Sequence, residues 1–340
     1  MFKLLLNISG EHGNSELNRI EYLDGWRGIA ILFVLISHFL SLKAFDFGRM
    51  GVDIFFVLSG MLMANILFIK RVSLKTFYKR RISRIAPIFI IYVCSVYLVS
   101  YLANLSEEHG NLFYTLSFLR TYLPTTPDIW NTGIPTGHLW SLNIEEHCYI
   151  FLSLLTLFAF IRKKEGILLI MLGITAIAIH YLYIKIPKHG ISNFQLRTEV
   201  AASHILLSAG YFLVKDNIKH LIPKWLPILT FLAAIFCYHQ KAPWFTSWLF
   251  TPFLFAFTVN HLDLIPDSIK KALSFTPLRL FGLWSFSIYL WQQPFYHYLT
   301  KGNSGSIWFG ILSLLLSIAA GMLSFFLIEN PVRKYLNNNW

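Results

Sequence analysis

The chain has 340 residues, 55% of them hydrophobic and only 14% charged, with a net charge of +12 and a mean hydropathy of +0.55. A soluble domain needs more charge than this to cover its surface, so the composition places the chain in the membrane class. The basic excess does not indicate nucleic acid, because Lys and Arg fall between apolar runs, where they act as anchors or meet anionic lipid or a phosphorylated cofactor.

About 20 mainly apolar residues are needed to cross about 30 Å of hydrocarbon. Ten segments qualify, at roughly 26–43, 51–69, 85–104, 145–161, 166–184, 197–214, 224–239, 243–260, 279–299 and 306–328. The expected fold is an all-α, polytopic membrane helix bundle of about ten transmembrane helices. With the N-terminus inside, the cytoplasmic connections hold 19 Lys and Arg residues and the outer ones 7. That bias predicts both termini cytoplasmic. Residues 1–19 then form a cytoplasmic segment, 20–330 the transmembrane domain and 331–340 a cytoplasmic tail. The longest outer segment, 105–144, contains Pro124, Pro127, Pro135 and Gly137 and reads as a structured or re-entrant loop rather than a span. Cys94, Cys148 and Cys237 lie in or beside apolar runs without metal-ligand spacing and read as packing residues.

In chain order, the first polar group in a span is Asp24-Gly25-Trp26-Arg27-Gly28, followed by His38. Arg27 and His38 are 11 residues apart, which puts them within about 20° on one helix face and about 16 Å apart in rise. Arg27 then sits near the inner boundary and His38 past the midplane, and Asp24 lies one turn before Arg27. Ionisable groups at this depth are costly and mark function. Asp53, in Gly51-Val52-Asp53, opens the second span and either caps it or serves the site. The inner connection carries Lys70, Arg71, Lys75, Lys79, Arg80, Arg81 and Arg84. Most of these anchor. Arg81 and Arg84, three apart at a span mouth, present two guanidiniums that suit a phosphate.

The fourth span opens on His138-Leu139-Trp140-Ser141-Leu142-Asn143-Ile144-Glu145-Glu146-His147. Asn143 with Glu146 reads as a capping box. Glu145 has no such local duty and is expected in the outer half, within reach of His38. His180 and His204 are lone span histidines and read as structural. No phosphate-binding glycine loop, thiol metal cluster or His-Glu-x-x-His pattern occurs.

These stretches, together with Phe77 to Pro87, Ser285 to Pro294 and Glu329-Asn330-Pro331-Val332-Arg333, resemble membrane acyltransferase family 3, the bacterial sugar O-acetylases. The resemblance spans nearly the whole chain. It implies a multi-pass protein of the bacterial cell inner membrane that takes acetyl from cytoplasmic acetyl-CoA, used as a substrate with no bound cofactor or metal. The acceptor it implies is a carbohydrate or lipid-linked glycan hydroxyl at the outer face, as in lipopolysaccharide O-antigen or an exopolysaccharide. The family counterpart of His38 is regarded as catalytic, and the Arg-x-x-Arg pattern matched by Arg81 and Arg84 is associated with the donor. Many members carry a further C-terminal esterase-like domain, which this sequence is expected to lack. In Tyr289-Leu290-Trp291-Gln292-Gln293-Pro294, Gln292 stands where the family often has histidine, and an amide cannot titrate near neutral pH. His147-Cys148 replaces the family's frequent Gln-Phe.

The expected roles are therefore catalysis for His38 and Glu145, and donor binding for Arg27, Arg81 and Arg84. Acceptor contact or structural support falls to Asp24, Asp53, Trp140, Ser141, Glu146, Tyr289 and Gln292. His38 either removes the proton from the sugar hydroxyl or carries the acetyl group itself. Two other classes share the composition: a glycolipid transporter or flippase, disfavoured by the lack of a repeat, and an inactive relative, for which Gln292 leaves room.

Overall fold

The computed structural model describes residues 20–40, 42–106, 108–124, 129–130, 132–158, 162–185, 193–300 and 307–339. The expected segment 1–19, Pro127, residue 340 and, from the charge count, Lys3, Arg19, Lys188 and Lys301 lie outside them. All regular structure among the described residues is helical, apart from an isolated bridge between Phe45 and His239.

The main helices are α1 (Glu21–Phe39), α2 (Phe47–Ala64), α3 (Leu74–Leu102), α4 (Trp140–Leu155), α5 (Glu165–Lys185), α6 (Ser203–Val214), α7 (Leu226–Phe236), α8 (Thr251–Asn260), α9 (Thr276–Phe295), α10 (Ile307–Ser324) and α11 (Asn330–Asn339). Helices overlie the ten apolar segments. Among the described residues, four runs are long and apolar enough to cross a bilayer on those grounds alone: Phe47–Ile69, Leu74–Leu102, Glu165–Lys185 and Ile307–Asn339. The reason is physical. Helices α1 and α9 carry Arg27, His38 and Gln293 on the walls of internal cavities and Gln292 buried beside His38, and those side chains lower their hydropathy.

Several boundaries differ from expectation. Helix α2 starts at Phe47, capped by Asp46, whose Oδ1 accepts the Arg49 N–H at 3.0 Å. Asp53 therefore lies in its second turn and caps nothing. Helix α3 starts at Leu74, with the Ser73 hydroxyl accepting from the Thr76 N–H, so the basic residues up to Arg84 belong to the helix. Helix α4 begins at Trp140, after a 3₁₀ turn at Gly137–Leu139, with no side-chain cap. The expected Asn143–Glu146 capping box does not form, because Asn143 is buried inside the helix. The tail continues α10 through a π-helical turn, Phe325–Glu329, into α11.

The bundle exposes apolar faces and buries polar groups among its apolar core. The apolar stretch of α5 is only 22% buried and that of α10 only 28%. Ile167, Met171 and Ile174 of α5 and Leu312, Leu315 and Leu323 of α10 stand exposed. Faces of this size in water are association or aggregation sites, whereas in hydrocarbon they are the ordinary surface. The interior holds Asp53, His204, Asn260 and Gln292, each at most 2% exposed. This is the pattern of a membrane protein with an internal site.

Helix α1 is the central element, and glycine lets its neighbours close on it. A Cβ on Gly282 of α9 would lie 1.8 Å from the Asp24 carbonyl oxygen, and one on Gly28 would lie 2.1 Å from the Leu278 carbonyl oxygen. Backbone meets backbone here, as at other small-residue helix crossings. Gly282→Ala is expected to force α1 and α9 apart, with an overpacking cost of about 1–3 kcal/mol or more. The check is the melting temperature of the detergent-solubilised protein. An unchanged melt would mean that the crossing is not tight.

Candidate functional site

Two cavities open toward opposite ends of α1. The first, of about 220 Å³, is a basic cavity lined by Arg27, Arg81, Arg84, Glu145 and Tyr149 among apolar residues of α2. The second, of about 410 Å³, is a histidine chamber lined by His38, Asp46, Arg49, His138, Trp140 and Tyr296. Val52 and Tyr289 line both. The Tyr289 hydroxyl donates to the His138 carbonyl at 2.6 Å and lies 2.7 Å from the Ser141 hydroxyl. Tyr289, held by these two contacts, and Val52 thus stand in the wall common to both cavities.

In the basic cavity the three arginines are not equivalent. Arg81 is saturated. Its Nε and Nη2 bind the Glu146 carboxylate at 2.7–3.2 Å, its Nη2 lies 3.7 Å from Glu145, and its guanidinium stacks 3.3 Å from the Tyr149 ring centroid. Tyr149 is hydrogen-bonded in turn to Ser59. Arg27 and Arg84 line the same space with no hydrogen bond or ion pair to another side chain among the described residues. Glu146 thus holds Arg81 instead of capping α4. Asp24 is buried one turn before Arg27. On the same end, Glu329 is 3% exposed and accepts from the Ser287 hydroxyl at 2.6 Å.

In the histidine chamber, His38 Nδ1 lies 2.7 Å from Gln292 Oε1, and its ring stacks on Tyr296 at 4.4 Å. With a carbonyl oxygen as partner, Nδ1 carries the proton and Nε2 keeps the lone pair. Gln292 is fully buried, and its amide nitrogen faces Gln293 Oε1 at 3.3 Å. The local backbone explains Tyr296. Pro294 removes an N–H from α9, and the chain continues as a π-helical turn, Tyr296–Thr300, which brings that ring against His38.

Asp53 sits behind this chamber. Both carboxylate oxygens accept from Arg49 Nε, at 2.9 and 3.1 Å, and one accepts from the Tyr238 hydroxyl at 2.7 Å. His204 Nε2 lies 3.6 Å from Asp53 and 3.1 Å from the Thr251 hydroxyl. His180 stacks on Trp248 at 4.4 Å.

The structure therefore brings Arg27, Arg81, Arg84, Glu145 and Glu146 together at one end, and His38, Gln292, Trp140 and Asp53 at the other. It does not bring Glu145 to His38: they line different cavities, and the imidazole's partner is Gln292. Arg49 and Tyr296 were not singled out in the sequence. The i,i+4 spacing of Arg49 and Asp53 is a signal that could have found the first; nothing local marks the second.

Comparison with known proteins supplies an independent line. The family described as an acyltransferase domain matches residues 20–329. The peptidoglycan O-acetyltransferase OatA of Listeria monocytogenes is 28% identical over 92% of this chain and 55% of its own length. The O-acetyltransferase OatA of Staphylococcus aureus is 27% identical over 92% of this chain and 57% of its own. The chain thus spans a little over half the length of these curated relatives. No solved structure matches. With the match running across α1 to the end of the π-helical turn after α10, and so across both cavities, the chain belongs to membrane acyltransferase family 3.

Proposed function

We propose that the chain is a membrane O-acetyltransferase, moving acetyl from cytoplasmic acetyl-CoA to a carbohydrate hydroxyl on the outer side of a bacterial inner membrane. It would cross the bilayer about ten times with both termini inside. The observation that carries this reading is the pair of unlike cavities at the two ends of α1, with Val52 and Tyr289 in the wall of both. The basic cavity suits an anionic donor entering from the cytoplasm. At about 220 Å³ it is smaller than the roughly 300–1,000 Å³ that encloses a whole drug-sized ligand. It takes the reactive arm of acetyl-CoA, and the phosphates meet Arg27 and Arg84 at its mouth. The acceptor occupies the histidine chamber. Lipopolysaccharide, an exopolysaccharide and, following the name of the Listeria relative, peptidoglycan are the candidate polymers.

In this reading the pantetheine arm passes Tyr289 and presents the thioester carbonyl beside His38. His38 Nε2 takes the proton of the sugar hydroxyl as its oxygen attacks the carbonyl carbon. The C–O bond forms, the C–S bond breaks, and the thiolate leaves with the proton returned from the imidazolium. Histidine suits this because its ordinary pKa lies near the operating pH.

The test uses protein reconstituted in sealed vesicles, with radiolabelled acetyl-CoA on one face and a glycan on the other. The expected product is acetylated glycan on the acceptor face. Glycan crossing without acetylation would make the protein a transporter, and neither event would make it an inactive relative. A brief exposure to labelled acetyl-CoA without acceptor is expected to leave the protein unlabelled. Label retained on His38 would replace direct attack with a stepwise transfer.

A further inference from the structure

The histidine chamber contains two polar groups that the proposed chemistry does not use. The first is the far end of Arg49. Its Nε is fixed by Asp53, itself 1% exposed, but its two terminal amino groups have no partner among the described residues. The guanidinium lies 5.1 Å from the Trp140 ring centroid and faces the chamber. The second is His138, which is 3% exposed with neither ring nitrogen hydrogen-bonded. A buried polar atom without a partner costs about 1–3 kcal/mol, and such groups at a chamber wall point to a partner that arrives with a ligand.

The chemistry of that partner follows from the geometry. A guanidinium anchored through Nε presents its other edge as two parallel N–H donors, the arrangement that pairs with two oxygens of a carboxylate or phosphate. Asp53 holds the fork still, so little side-chain freedom is lost when a ligand binds. The other charged or titratable groups lining the space are Asp46, His38, His297, Tyr289 and Tyr296. Asp46 is engaged at the N-terminus of α2 by the Arg49 backbone N–H, and His38 by Gln292. Arg49 is thus the fixed positive group at the wall, with His138 available as a further donor.

We propose that Arg49 and His138 form an anion subsite in the histidine chamber, and that the acceptor glycan bears a carboxylate or phosphodiester close to the hydroxyl that is acetylated. The proposal rests on the acetyltransferase reading for the word acceptor, but the subsite itself is a binding property and can be read without turnover.

The experiment measures equilibrium binding of three radiolabelled oligosaccharides of one length to the full chain in detergent: a neutral N-acetylhexosamine oligomer, a uronic-acid oligomer and a phosphodiester-linked oligomer. At least one charged oligomer is expected to bind tenfold or more tighter than the neutral one, and which of the two wins names the source of the charge. Arg49→Gln is expected to erase that preference and to leave neutral binding within twofold. Because Arg49→Gln leaves Asp53 without its cation, the charge-balanced pair Arg49→Gln with Asp53→Asn is measured beside it, along with Arg49→Lys, which keeps the charge and loses the fork. A native protein that binds all three oligomers alike, or a preference that survives in the charge-balanced pair, overturns the subsite. Acetylation is assayed separately with the same oligomers. A charge preference without acetylation leaves the subsite standing and removes the transferase reading. Acetylation without a charge preference does the reverse.

Discussion

Replacing His38 with alanine is expected to lower acetyl transfer by about 100- to 10,000-fold, the range over which a positioned general base contributes, while acetyl-CoA binding stays within about twofold of the native protein. The separation of the two effects follows from the architecture. His38 belongs to the histidine chamber, whereas Arg27 lies about 16 Å away along α1, and both Arg27 and Arg84 line the other cavity. The imidazole is held by Gln292 at 2.7 Å and by the Tyr296 ring at 4.4 Å, so its free nitrogen keeps one direction. Gln292→Leu removes the hydrogen bond but not the base, and is expected to lower kcat about tenfold, at the cost of the partners of His38 Nδ1 and Gln293 Oε1. The KM for acetyl-CoA should not move. The measurements are initial rates in reconstituted vesicles and equilibrium dialysis against labelled acetyl-CoA. His38→Ala protein that transfers acetyl within threefold of native would take catalysis away from this residue.

The common face of Arg27 and His38 was legible because helical periodicity fixes direction from spacing alone. What spacing could not say is that the 16 Å rise between them places them in separate cavities. Glu145 shows how a boundary propagates. A fourth span starting near residue 145 puts Glu145 at the outer surface beside His38. The helix starts at Trp140, five residues earlier, which carries Glu145 about 8 Å deeper and next to Arg81. A second span expected at 51–69 leaves Arg49 in the outer connection for a similar reason. Once α2 begins at Phe47, Arg49 and Asp53 stand one turn apart on one face and pair. Gln292 was visible as a departure from the family pattern, but its partner, 254 residues away, is fixed only by the packing of α9 on α1. Long-range pairs of this kind leave no local trace in a single sequence. The family motifs compensated for that in part, because they marked the segments that the fold brings together.

Arg84→Ala and Arg27→Ala are each expected to weaken acetyl-CoA binding by about 10- to 100-fold, the value of one charge-assisted contact to a phosphate. Arg81→Ala is expected to act differently, although the Arg-x-x-Arg pattern makes the two arginines look alike. Arg84 enters the basic cavity without a side-chain partner among the described residues, so its charge is available to a ligand. Arg81 is already bound by Glu146 and near Glu145, with the three side chains no more than 22% exposed. Removing it strands two adjacent carboxylates in a mostly buried site, and breaking a buried pair in this way costs about 3–5 kcal/mol. The prediction for Arg81→Ala is therefore a lower melting temperature and less folded protein, with the surviving fraction losing affinity because Tyr149 and Glu145 have moved. Arg81→Ala combined with Glu146→Gln removes one of the stranded charges and is expected to recover part of the melt, whereas no second-site change of that kind should restore binding to Arg84→Ala. Melting curves and acetyl-CoA dialysis on the same four proteins separate the two roles. If Arg84→Ala binds acetyl-CoA as well as the native chain does, the donor's phosphates lie elsewhere. If Arg81→Ala melts normally but loses binding, Arg81 contacts the donor directly and the carboxylate cluster is its counter-charge rather than its clamp.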